Sequence, residues 1–151
     1  MWRSRSIRVP LFIGLLSGIL LGLILKSIEH FTNVGVYTLL LNVDFLPIMG
    51  SIKWSESAEF FFHVLISIII AIVFVNLAQR FKIEEHFYQL LLLSFLICLP
   101  TFLLYFILSS LAIKEVPAWN DWIAFTYWSF GHLIYVWIMA FLYKKIKTKK
   151  E

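Results

Sequence analysis

Four stretches of this chain stay apolar for about as long as a helix needs to cross a bilayer, and no other feature restricts its fold as strongly. A helix crossing the ~30 Å hydrocarbon core takes roughly 20 predominantly apolar residues. "VPLFIGLLSGILLGLIL" fills residues 9–25 and "AEFFFHVLISIIIAIVFVNLA" fills 58–78. "HFYQLLLLSFLICLPTFLLYFILSSLAI" fills 86–113, where Pro100 allows a tilt or kink, and "WIAFTYWSFGHLIYVWIMAFLY" fills 122–143. Of the 151 residues, 61% are hydrophobic and 15% charged, against about 45–50% apolar and about 25% charged in a soluble domain. One small core cannot hide that excess, so the surface faces lipid. The expected fold is all-α, one transmembrane domain over residues 1–151, an integral membrane four-helix bundle.

The first stretch follows Arg3, Arg5 and Arg8, as the core of a secretory signal would. It is long for that role, and "LILKSIEHF" after it offers no A-x-A cleavage site. It reads as a retained helix. Between the first two spans, "VYTLLLNVDFLPIM" at 36–49 is apolar but too short to cross, and Asp44 and Pro47 interrupt it. Such a segment is expected to lie along the outer interface. The lone Cys98 sits inside an apolar run, so no internal disulfide framework exists.

Basic residues orient the molecule. With four spans, one side collects Arg3, Arg5, Arg8, Arg80 and Lys82, together with Lys144, Lys145, Lys147, Lys149 and Lys150 of the tail at 144–151. The other side holds only Lys26, Lys53 and Lys114. Cytoplasmic loops carry the excess of Lys and Arg, so both termini are expected inside, N-in and C-in. Trp54, Trp119 and Trp122 then fall at the outer interface, where aromatic belts form. The net charge of +4 follows the same pattern. Its clustering at span ends suits anionic lipid headgroups and leaves no polar face for nucleic acid.

Within lipid, helices associate by close backbone approach and by interhelical hydrogen bonds. Gly14, Gly18 and Gly22 recur every fourth residue and form one stripe on the first helix. Its partner is either another helix of the chain or a second copy, which makes a homo-oligomer through the first helix one expectation. Glu59, His63, Ser67 and Ala71 share a face of the second helix. Ser94, Cys98, Thr101, Tyr105 and Ser109 share a face of the third, and Tyr127, Gly131 and Tyr135 stack on the fourth beside Trp128 and His132. A bundle that hides all four stripes is the economical arrangement.

Ionisable groups inside a bilayer cost about 2.5–3.5 kcal/mol at the helix centre on insertion scales, which marks them as functional candidates. His132 lies ten residues into its helix, about 15 Å deep at 1.5 Å per residue. His63 lies roughly 7 Å below the same surface, with Glu59 one turn above it and able to pair with it. Glu59, His63 and His132 therefore form a candidate proton-responsive cluster. An unperturbed imidazole titrates near pH 6.5, so outside acid would charge the cluster and repack the bundle. The structural alternative has neutral His132 bonding Tyr105, or a carbonyl freed by Pro100, and fixing helix register. A metal site is not expected, because no H-x-x-x-H or H-E-x-x-H occurs. Nor is catalysis or a cofactor, since there is no G-x-S-x-G, no glycine-rich phosphate loop and no aspartate within the spans.

Three features together resemble the YagU-type bacterial inner-membrane proteins. They are the glycine-bearing first helix in "FIGLLSGILLGLILK", the His63, Ser67 and Ile68 spacing in "HVLISIIIAIVF", and Phe130 to Leu133 in "DWIAFTYWSFGHLIYVW", with Trp122 ten residues before the last histidine. The chain departs from that pattern between the first two helices, where the resemblance implies a longer, irregular insertion. The resemblance implies a multi-pass protein of the bacterial cytoplasmic membrane and supplies no reaction. The expectation is thus a non-enzymatic membrane protein concerned with envelope pH or acid stress. A structural or accessory membrane subunit and a small oligomeric transporter are the alternatives.

Overall fold

The structure, a computed structural model, describes residues 7–148. Arg3, Arg5, Lys149 and Lys150, which entered the orientation argument, lie outside the described residues. The elements are α1 (Arg8–Thr32), α2 (Val36–Leu41), a 3-10 turn at Met49–Ser51, α3 (Glu56–Arg80), α4 (Phe87–Leu111) and α5 (Trp122–Thr148), with no strand among the described residues. The four long helices contain 25, 25, 25 and 27 residues and are long and apolar enough to cross a membrane. At 1.5 Å per residue they exceed a ~30 Å hydrocarbon core.

Each helix stops or starts where the sequence supplies a partner for its free backbone groups. Asn33 ends α1 in the left-handed region (φ 58°) and donates its N–H to the Glu29 carbonyl at 2.8 Å. Ser55 caps α3 by accepting from the Ala58 N–H, and Glu56 and Glu59 place negative charge in the first turn. The Asp121 carboxylate accepts the Ile123 and Ala124 amides at 3.1 and 3.0 Å and opens α5. Both α1 and α5 run past their apolar stretches, since a helix needs backbone bonds and not hydrophobic side chains to continue. The first residues of the basic tail therefore form the last turn of α5. α4 passes through Pro100 without a break, and the Thr101 hydroxyl donates to the Cys98 carbonyl at 2.6 Å in that turn.

Ion pairs at the two ends fix the up-and-down arrangement. Glu84, between α3 and α4, meets Lys147 and accepts from Tyr143 at 2.6 Å, both on the last turns of α5. At the opposite end Lys26 of α1 pairs with Glu56 of α3 at 2.6 Å, and Lys114, after α4, pairs with Glu59. In this ring α1 packs heavily on α3 and α5, and α4 on α5, whereas α3 and α4 touch least. The outside of the ring is a belt of exposed Leu, Ile and Phe, including Leu15, Phe61, Ile69, Leu92 and Leu103. Such a continuous apolar surface far exceeds what a water-soluble monomer tolerates.

The segment after α1 departs from its expected position. The sequence suggests that residues 36–49 lie flat along the outer surface. In the structure, Val36, Leu39 and Leu41 of α2 are buried, so α2 closes the end of the bundle like a plug. Six residues are enough to present these side chains to α1 and α3, and burying them outweighs leaving them in the interface.

Candidate functional site: a cavity beneath the short helix

The glycine stripe builds the first wall of the site. A Cβ on Gly14 would lie 2.5 Å from the Ile68 Cα, and one on Gly18 2.7 Å from the Ser67 Cβ. Gly22 likewise faces Phe60, and Gly131 of α5 leaves room for Leu25 and Leu21 of α1. Gly14, Gly18 and Gly22 of α1 thus face α3, and Gly131 of α5 faces α1. Close approach also exposes α1 carbonyls to α3 side chains. Ser67 donates to the Gly14 carbonyl at 2.7 Å, and the His63 Nε2 lies 3.0 Å from the Gly18 carbonyl, which makes that nitrogen the donor. Because the Ser67 proton is committed, the Tyr135 hydroxyl donates to Ser67 at 2.9 Å.

Where α3 and α4 part company, a cavity of about 220 Å³ remains. Its roof comes from Leu40 to Leu46, its sides from α3 and α4, and its back from Trp128, His132 and Tyr135 of α5. Glu59, His63 and His132 all line it, so residues distant in sequence meet in one space. Their partners differ from the expected ones. Glu59 pairs with Lys114 and not with His63. The Tyr105 hydroxyl donates to the Ala118 and Asp121 carbonyls and so is occupied in the α4–α5 loop. His132 bonds its own helix, Nδ1 to the Trp128 carbonyl at 2.8 Å. A carbonyl only accepts, so Nδ1 carries the proton and Nε2 keeps a free lone pair.

His132 is buried, and its ring packs at a tilt against those of Trp128 (4.4 Å between centres) and Phe102 (5.9 Å). Trp128 is itself anchored to α4, its indole N–H donating to the Thr101 carbonyl at 2.9 Å. Glu59 also borders two clefts at the same end of the bundle, one with Lys26 and Tyr37, the other with Lys53 and Lys114. Its carboxylate is thus the group shared by the clefts and the cavity. In the first cleft Tyr37 donates to Glu56 at 2.9 Å, while Glu29 accepts both the Thr38 amide and its hydroxyl. Burial, then the Glu56 carboxylate, holds the Tyr37 hydroxyl well above its usual ionisation range.

No family model, curated protein or solved structure matches the chain. What the site can do therefore rests on its own chemistry. Among the described residues no three of His, Cys, Asp and Glu gather closely enough to hold a metal ion. Asn42 and Asp44, neither of them a site candidate from the sequence, matter here. Asn42, in the roof, is 4% exposed, its Oδ1 accepting the Asp44 amide at 3.1 Å and its Nδ2 lacking a partner. The Asp44 Oδ2 in turn accepts the Ile113 and Lys114 amides at 3.0 and 2.6 Å, tying the roof to the α4–α5 loop. The signal was an Asn and an Asp inside a run of leucines, valine and phenylalanine, where each demands a partner.

Proposed function

We propose that this chain is a non-enzymatic, multi-pass protein of the bacterial cytoplasmic membrane, related to the YagU-type proteins, that responds to acid on the outer side through His132 and His63. The observation that carries the reading is the single cavity lined by both imidazoles and Glu59. The Nε2 of His132 is an open proton acceptor in the cavity that Glu59 and His63 also line. Glu59, bordering the outer clefts as well as the cavity, supplies a relay for the proton. Charge arriving in an apolar cavity draws water and loosens the thinly packed α3–α4 side.

In this reading both termini are cytoplasmic, because Arg80, Lys82, Lys144, Lys145 and Lys147 gather at one end. The plugged end with α2 then faces outward at the interface. Single cysteines test this directly. Glu115→Cys should react with a membrane-impermeant maleimide in intact cells, and Lys82→Cys only after lysis. The reverse pattern overturns the orientation.

The acid response is tested by replacing His132 with glutamine and His63 with asparagine, then following cytoplasmic pH after an acid shift. The proposal expects the double variant to insert normally and lose the parent's recovery. A parent-like recovery by an inserted double variant overturns it. That outcome would favour an accessory or structural subunit, a reading supported by one observation: both imidazole N–H groups are taken up by backbone carbonyls, that of His63 tying α3 to α1.

A further inference from the structure

The same cavity has a second set of properties that proton uptake does not use. Ile66 of α3 and Leu104 of α4 line it and are also 58% and 39% exposed on the outside of the bundle. The cavity therefore reaches the surface sideways, between two helices of membrane-crossing length, and its mouth opens onto acyl chains. Its lining is mostly aliphatic and aromatic, with a minority of polar side chains from the roof and from all three helices. An apolar cavity of about 150 Å³ binds benzene. One of about 220 Å³ takes a small polar head and the first carbons of a chain, leaving the rest of the chain in the bilayer.

The polar lining specifies the head. The unpartnered Asn42 amide nitrogen is closed off from the cavity, whereas the Nε2 of His132, at the back, is an unpartnered imidazole acceptor. A molecule that satisfies it carries a hydroxyl. No Lys or Arg lines the cavity, and the charge of Glu59 is already met by Lys114. A phosphate or carboxylate head would therefore be buried without a counter-charge, which is strongly unfavourable.

We propose that the α3–α4 cavity binds an uncharged hydroxylated lipid, of which a monoacylglycerol is the simplest, entering sideways from the bilayer. Its hydroxyl donates to His132 Nε2, and its acyl chain leaves past Ile66 and Leu104. The assignment rests on the helices crossing a bilayer and not on any change of protonation. Lipid capture at neutral pH and acid recovery in cells are separate measurements, and either can fail alone.

The test uses the full chain in detergent micelles with a photoactivatable monoacylglycerol carrying its diazirine in the first carbons of the chain. The expected result is labelling confined to residues 66–70 and 101–108. His132→Phe should lower capture roughly tenfold, the loss of one buried hydrogen bond, and Leu104→Trp should block the mouth. Leu92→Trp, on the lipid face of α4 and away from the cavity, should leave capture unchanged. The matching fatty acid and acyl phosphate should label at least roughly tenfold less. Thermal melting shows whether each variant is folded, and either cavity variant alone is decisive. Labelling spread along the lipid-facing residues of all helices, equal capture of the charged probes, or undiminished capture by a folded His132→Phe protein overturns the proposal.

Discussion

The hydroxyl of Ser67 donates to the carbonyl of Gly14 at 2.7 Å, one helix bonding the backbone of another at a place where no side chain intervenes. The contact requires the missing Cβ. Gly14→Ala would set a methyl 2.5 Å from the Ile68 Cα, so α1 and α3 must separate, at a cost of about 1–3 kcal/mol. Gly35→Ala meets nothing nearer than Pro117 at 3.5 Å and should change stability by less than about 0.5 kcal/mol. Thermal denaturation of both proteins in one detergent checks the contrast.

The Glu84 contacts predict an acid limb in the stability of the other end. Burial of its carboxyl pushes the pKa upward, but the Lys147 ammonium and the Tyr143 hydroxyl outweigh it, and the net shift is downward from 4.5. A depressed folded-state pKa stabilises the fold above the unfolded value, and the contribution is lost as pH falls through the folded one. The melting temperature should therefore drop below about pH 4.5 in the parent, and the Glu84→Gln protein should show a shallower drop. An unchanged acid limb in that variant would remove Glu84 from the account.

The bond from His132 to Trp128 fixes a tautomer. At neutral pH, nitrogen spectra of labelled protein should show His132 protonated at Nδ1 and bare at Nε2, with His63 the opposite, protonated at Nε2. Acidification then has one open nitrogen on each ring. A neutral His132 carrying its proton on Nε2 would contradict the geometry.

Asp44 should act as the clasp of the plugged end. Asp44→Ala releases the Ile113 and Lys114 amides, and hydrogen bonds to a charged acceptor are worth about 1.5–3 kcal/mol. Faster amide exchange confined to residues 112–120 and the 42–52 loop is the expected signature, with the four long helices unaffected.

The long helices were legible because lipid selects for continuous apolar runs, and the helical spacing of Gly14, Gly18, Ser67 and His132 told which faces turn inward. Partners across the bundle were not legible. Spacing put Glu59 a turn from His63, yet Lys114 reaches that carboxylate from a loop whose path no periodicity encodes. The fate of α2 was hidden for a related reason: six apolar residues serve equally well against headgroups or against other helices. Its burial depends on the room left at that end of the bundle.

The uneven closeness of the four long helices has a mechanical consequence. Glycine seats α1 against α3, Gly131 seats α5 against α1, and the Trp128 indole hooks α5 to α4. Three sides are stitched, and the fourth, between α3 and α4, is the most thinly packed. Such an object flexes like a book on its spine, with α4 and α5 as one cover and α1 and α3 as the other, and any force that parts the covers does so at the edge where a lipid tail could slip between the pages.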